Sequence, residues 1–237
     1  NKKIEAMAVE LVKQKKGIPG VQKKLSLTLT KADENHHKRL TIVGYLDGDY
    51  ILKPPSPDYP FMPEIEDLTM HLAEIAKLKV ALHGLLPMQG GKLAYITKRF
   101  DRVGKKKIGV EDLCQLSQKM TEDKYKSSYE KVGKIINNYA SMTNEEKLKF
   151  FELILFSFLV GNADMHLKNF SLITEDITNI CLSPWYDLLS TRLLISAKVD
   201  PEELALSLNG KKQNLRKKDF IEFGKNLEIP EKVMQNS

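Results

Sequence analysis

Gly161-Asn162-Ala163-Asp164-Met165-His166-Leu167-Lys168-Asn169-Phe170 is the stretch that decides the fold, read with Tyr186-Asp187 beyond the next apolar segment. Lys168 lies four residues after Asp164 and Asn169 five, while Asp187 stands apart from them. Phosphoryl transfer needs these residue types. One carboxylate orients the attacking hydroxyl, and an Asn and a second carboxylate hold Mg²⁺ against nucleotide phosphates. The Asp-x4-Asn spacing is that of a kinase catalytic loop, and an isolated later Asp with apolar neighbours is that of its metal-binding partner. In this reading Asp164 orients or deprotonates the acceptor hydroxyl. Lys168 neutralises charge on the transferred group, and Asn169 and Asp187 bind the metal. His166 has no second histidine close by in the sequence. It is grouped with the nucleotide-contacting residues, with a structural hydrogen-bonding role inside the loop as the reading beside it.

Such a site also requires a phosphate loop and a nucleotide lysine. Gly17-Ile18-Pro19-Gly20-Val21-Gln22-Lys23-Lys24 runs directly into a strictly alternating strand at 25–30. Its glycines let backbone N–H groups approach an anion, which makes Gly20, Val21, Gln22 and Lys23 candidates for ATP contact. A plain turn is the competing reading. Lys53 closes the strand at 50–52 and is the candidate for the α/β-phosphates, with Glu66 early in the next helix to hold it and Glu64 as fallback. The segment from Tyr95 to Arg102 runs from a strand to the expected lobe boundary. Lys98 and Phe100 are assigned to the nucleotide there, Phe100 packing on the base, with Arg99 and Asp101 shaping the hinge.

The expected elements follow from periodicity. A short helix at 4–12 precedes strands at 25–30, 39–43 and 50–53, a proline-rich break at 54–63, a helix at 64–79 and a strand at 92–100. From 101 onward helices dominate, at 113–120, 129–139, 145–160, 202–208 and 218–227, and the run at 150–160 reads as buried all round. The fold expected is α+β, two-lobed and protein-kinase-like. A small mixed N-terminal lobe covers 1–101 and a larger helical C-terminal lobe covers 102–237.

Composition narrows the class. The 237 residues are 42% hydrophobic and 29% charged, an ordinary globular balance. The net charge of +6 comes from lysine runs that read as solvated faces, while permitting an acidic or nucleic-acid partner. Cys114 and Cys181 lack metal-ligand spacing, so no disulfide framework is expected and a reducing cytoplasm fits. The longest apolar run, 150–160, is too short to span a bilayer, and no export signal opens the chain. The first residue is not Met, which suits a fragment.

Several motifs together carry a family resemblance. They are Gly20-Val21-Gln22-Lys23-Lys24-Leu25-Ser26, Ile51-Leu52-Lys53-Pro54, Arg99-Phe100-Asp101-Arg102, Glu111-Asp112-Leu113-Cys114-Gln115, the segment Gly161 to Ser171, Tyr186-Asp187-Leu188-Leu189-Ser190 and Leu208-Asn209-Gly210-Lys211-Lys212. In type and order they resemble the HipA family of bacterial serine/threonine kinase toxins over about residues 17 to 220. The resemblance implies ATP with Mg²⁺, Lys53 on the ATP phosphates, Asp164 as catalytic residue, and Asn169 and Asp187 on the metal. It implies a toxin–antitoxin module with a HipB-like helix-turn-helix antitoxin, so that DNA is met only through that partner. The implied substrate is a serine of an aminoacyl-tRNA synthetase, whose phosphorylation arrests growth and promotes persistence.

Two departures stand out. Family members carry autophosphorylated serines in the loop ahead of Gly-x-Gln, where this chain has Gly17 and Pro19. Few residues precede that loop, so the extra N-terminal subdomain of long members is absent, trimmed, or supplied by a separate small HipS-like protein. Two other readings stay open: a catalytically silent module that binds antitoxin and operator DNA, and a kinase for a small molecule or lipid headgroup.

Overall fold

The structure is a computed structural model that describes residues 24–31, 38–44, 47–59, 61–104, 106–176 and 179–235. The helix expected at 4–12 and the glycine loop with Gly20, Val21, Gln22 and Lys23 lie outside them. The chain divides into two compact units, 1–68 with 81–102 and 69–80 with 103–237.

In the first unit, β1 (Leu25–Lys31), β2 (Lys38–Ile42), β3 (Tyr50–Lys53), β4 (His83–Pro87) and β5 (Leu93–Lys98) form one antiparallel sheet in the order β2-β1-β3-β5-β4. Leu25, Leu27, Leu52 and Ala94 make its buried cluster, flanked by Leu40, Ile42, Tyr50 and Ile96. Strand side chains alternate between faces. With Leu52 committed to that cluster, Lys53 is turned to the opposite face, where the start of helix α1 (Met62–Ile75) supplies Glu66. Gly48 has a steric reason to be glycine: a Cβ there would lie 2.9 Å from the Leu27 backbone N and O.

Helix α1 stops four residues before the sequence suggests. Lys77 takes a left-handed φ of 62°, its N–H bonds the Glu74 carbonyl, and the Leu78 N–H bonds that of Ala73. That is a Schellman cap built on lysine in place of the usual glycine, so no residue type announces it.

The second unit holds a three-stranded sheet, β8-β7-β6, from β6 (Gly109–Asp112), β7 (Ser171–Asp176) and β8 (Asn179–Leu182). Its helices are α2 (Leu113–Leu116), α3 (Tyr129–Tyr139), α4 (Thr143–Leu159), α5 (Lys217–Asn226) and α6 (Glu231–Met234). Tyr129, Phe150, Phe170 and Phe223 form the aromatic centre, with Phe150 5.4 Å from Phe170 and 5.8 Å from Phe223 between ring centroids. Edge-on packing of this kind adds to the stabilisation from area burial. Phe150, Leu153 and Ile154 of α4 are fully buried, but Leu159 in its last turn is exposed, so the apolar run is not buried all round.

The helix expected at 202–208 does not form. Its backbone groups bond elsewhere: the Ser207 carbonyl accepts the Tyr129 N–H, and the Glu203 N–H bonds the Lys212 carbonyl. Residues 113–120 form only the short α2, because Gln118 has a φ of 53°.

Candidate active site

Lys53 and Glu66 form a direct hydrogen-bonded ion pair inside the first unit, at 2% and 1% exposure. The Lys53 ammonium also lies 5.2 Å from the centroid of the Tyr95 ring. Tyr95 stacks at 6.0 Å on His83, whose Nδ1 is 2.7 Å from Asp67 Oδ1. Desolvating two charges costs several kcal/mol per ion, and only close pairing offsets it. This polar layer therefore fixes the ammonium in one place. Nothing in the sequence marks the Asp67–His83 half of it, since His83 sits on a strand that periodicity does not reveal.

At the end of β5, Lys98 is exposed and bonded through its backbone N–H to Leu82, and Phe100 is half-buried. Between them Arg99 grips Asp101 with two hydrogen bonds, Nε to Oδ1 at 2.9 Å and Nη2 to Oδ2 at 2.7 Å. Arg102 adds a third at 2.6 Å. Burial pushes the Asp101 carboxyl upward, but the Arg99 hydrogen bond and the charges of Arg99 and Arg102 outweigh it and hold the pKa below its ordinary range. The turn after β5 is thus braced by its own charges.

In the second unit, helix α4 ends on Gly161, whose φ of 70° suits glycine and whose Cβ would meet the Arg192 side chain at 2.6 Å. The loop that follows is bonded to itself. The Asn162 Oδ1 accepts the Asp164 N–H at 3.1 Å, the Asp164 carbonyl accepts the His166 N–H at 2.8 Å, and the Asn169 Nδ2 donates to that same carbonyl at 2.9 Å. The loop is also fastened from outside. Thr191 Oγ1 accepts the Ala163 N–H at 3.0 Å, and the Tyr129 hydroxyl donates to the Met165 carbonyl at 3.1 Å. The Tyr186 hydroxyl donates to the Lys168 carbonyl at 2.9 Å and meets Ser171 Oγ at 2.7 Å.

Asp164 is half-buried, and its Oδ1 accepts the Tyr125 hydroxyl at 2.6 Å. Lys168 is half-buried with its ammonium on Asp112 at 2.8 Å, the carboxylate that also caps α2. Asn169 is buried, and with its Nδ2 committed to Asp164 its other end is an oxygen, the donor a hard cation takes. Asp187 is half-buried at a left-handed φ of 57°, directly after the Tyr186 that holds the loop. His166 is buried, and burial first, then the Lys124 charge, lower its pKa against the opposing pull of Asp164 and Asp187. Its imidazole is accordingly neutral near pH 7. An amide oxygen and a carboxylate form a donor set that suits Mg²⁺.

A family model described as HipA-like C-terminal domain matches residues 17–237. The chain belongs to that HipA-like family. A relative from Sinorhizobium fredii, named "Putative kinase Y4dM", is 34% identical over 200 residues, which is 79% of this chain and 48% of the relative. The chain therefore spans about half the length of that curated relative. Among solved structures, Shewanella oneidensis HipA, captured with HipB and its operator DNA, superposes with a TM-score of 0.79 at 20% identity. That match covers 98% of this chain and 60% of the HipA chain. The Helicobacter pylori proinflammatory kinase CtkA gives a TM-score of 0.56 at 16% identity, covering 88% of this chain and 84% of its own. The fold is thus the kinase-like α+β fold of the HipA family. No helix among the described residues is long and apolar enough to cross a membrane.

Proposed function

We propose that this HipA-like chain is an ATP-dependent protein serine/threonine kinase. The observation that supports it most is the loop at 161–170, where the Asn169 amide donates to the Asp164 carbonyl and the Lys168 carbonyl accepts the hydroxyl of Tyr186, the residue before Asp187. A loop held this way would keep Asp164 and Asn169 in a fixed relation, as phosphoryl transfer requires.

In this reading the acceptor hydroxyl donates to Asp164, which takes its proton as the oxygen attacks the γ-phosphorus. The bond from that phosphorus to the bridging oxygen breaks, and ADP leaves with the bond's electrons. Lys53, aimed by Glu66, holds the α/β-phosphates. Asn169 and Asp187 would hold Mg²⁺, which when bound neutralises phosphate charge. Lys168 serves the transferred group by exchanging Asp112 for a phosphate oxygen. Gly20, Val21, Gln22, Lys23, Lys98, Phe100 and His166 are assigned to the nucleotide, and the proposed lobes are 1–101 and 102–237.

The Shewanella complex contains HipB and operator DNA. By that likeness the proposed partner is a HipB-like antitoxin, with DNA met through it and a small HipS-like protein as a further component. The proposed acceptor is a serine of an aminoacyl-tRNA synthetase or another translation protein, and the proposed compartment is the cytoplasm.

The test is transfer of labelled phosphate from ATP. Asp164→Ala and Asp187→Ala are expected to keep the native circular-dichroism spectrum and lose transfer by a factor of at least about a hundred. Native-level transfer in both would remove the assignment. Calorimetry showing no Mg²⁺-dependent ATP binding would favour the silent antitoxin-binding module instead.

A further inference from the structure

Tyr125 lies in the segment ahead of α3, 39 residues before the carboxylate it touches. Its hydroxyl donates to Asp164 Oδ1 at 2.6 Å. Two more contacts keep it there. The Tyr125 ring stands edge-on to His166 with centroids 5.0 Å apart, and the Lys124 carbonyl accepts the Leu167 N–H at 3.2 Å. The segment is therefore fastened to the loop just past Asp164 as well as to the Asp164 side chain.

The phenol is a permanent donor. Burial first, then the Asp164 charge and hydrogen bond, push its pKa well above the ordinary tyrosine value, so the hydroxyl keeps its proton at any pH where the protein works. An aspartate carboxylate otherwise turns about its last torsion, whose wells are broad. One short charge-assisted bond removes that freedom. Among the described residues the hydrogen bond to this carboxylate is made at Oδ1.

We infer that Tyr125 is a positioning residue for phosphoryl transfer: its hydroxyl holds Oδ1 of Asp164 so that Oδ2 stays turned to the acceptor. The inference rests on reading Asp164 as the group that orients the acceptor. Tyr125 need not touch substrate to do this. Its effect is on the fraction of bound complexes whose carboxylate faces the attacking oxygen, which is a kcat effect.

The experiment is Tyr125→Phe, which removes the hydroxyl and keeps the ring on His166, measured by steady-state transfer. The expected result is a fall in kcat of about tenfold, the worth of one charge-assisted hydrogen bond, with KM for ATP within about twofold of native. A second reading comes from ¹³Cζ-tyrosine NMR of the whole chain. The Tyr125 signal, assigned by its loss in Tyr125→Phe, should titrate abnormally high in the native protein and fall toward the ordinary range in Asp164→Asn. An unchanged kcat, a loss confined to KM, or a Tyr125 signal indifferent to Asp164→Asn overturns the inference. So does a rise in kcat, which would mean that the hydroxyl occupies the acceptor's own place. The two possible failures are separable. Absence of transfer by the native chain defeats the kinase reading, whereas a native chain that transfers phosphate as fast without the hydroxyl defeats only this inference.

Discussion

Each unit buries a carboxylate against a lysine, and the two pairs differ in what the carboxylate does for the fold. Asp219, in the second unit, is fully buried, while Lys211, 2.7 Å away, has a side chain 42% exposed. The carboxylate also accepts the Arg216 N–H at 2.9 Å, closing the first turn of α5, and the Asn209 amide at 3.2 Å, holding the turn at Asn209-Gly210. It is a structural staple. Glu66 sits just past the first turn of α1, and it and Lys53 are both desolvated. A pair of apolar residues would fill that space at lower cost. The contrast separates a buried charge that organises backbone from a pair in which both charges are desolvated, the arrangement the kinase reading gives to the phosphate-holding lysine.

The sharpest way to break this contrast is Lys53→Met. It should lower phosphoryl transfer by at least about a hundredfold and, by leaving Glu66 buried without its lysine, destabilise the protein by about 3 kcal/mol. Adding Glu66→Gln should restore most of the stability and none of the transfer. A double variant that transfers phosphate at the native rate would make Lys53–Glu66 merely another staple.

Asp219→Asn tests the other side, and should leave transfer per folded molecule unchanged while lowering the melting midpoint at neutral pH. The Lys211 hydrogen bond first, with those from Arg216 and Asn209, overcomes burial and holds Asp219 at a pKa of about 2, below its ordinary 3.8. A depressed folded-state pKa gives stability that is present above the unfolded value and lost as pH falls through the folded one. Melting curves of native and Asp219→Asn protein should therefore differ above about pH 4 and draw together near pH 2. A gap that persists at the acid end would show that shape, and not charge, is what the variant removes. The smallest effect belongs to Lys211→Met, because the ammonium is partly solvated and two other donors remain on Asp219. Its midpoint should shift less than that of Asp219→Asn.

What the sequence reveals follows the range of the interactions involved. The spacing within 161–170 is local, so the loop and its residue types can be read directly, as can the alternation of β1 and the helical period of α3. The Glu66 partner of Lys53 follows from a strand-then-helix pattern. Tyr125, the pairing of Asp112 with Lys168 and the Asp67–His83 pair are silent in sequence, because each joins residues far apart along the chain and of types common on surfaces. The end of α1 is hidden for a different reason. Lysine at a left-handed cap is tolerated for the hydrogen bonds it completes, and no propensity scale anticipates it. Strand β4 is missed because Gly84 and Pro87 interrupt it at the edge of the sheet, where proline is allowed.

The tethers on the Asp164 loop also bear on the order in which the chain becomes itself. They reach 28 residues forward to Thr191, 39 back to Tyr125 and 56 back to Asp112. Closing such separations is slow compared with winding α4, whose bonds are all local. The loop therefore has its full set of tethers only where α3, the strand at 109–112 and the segment at 190–191 are all in place. Local propensity alone does not shape this loop; long-range closure completes it.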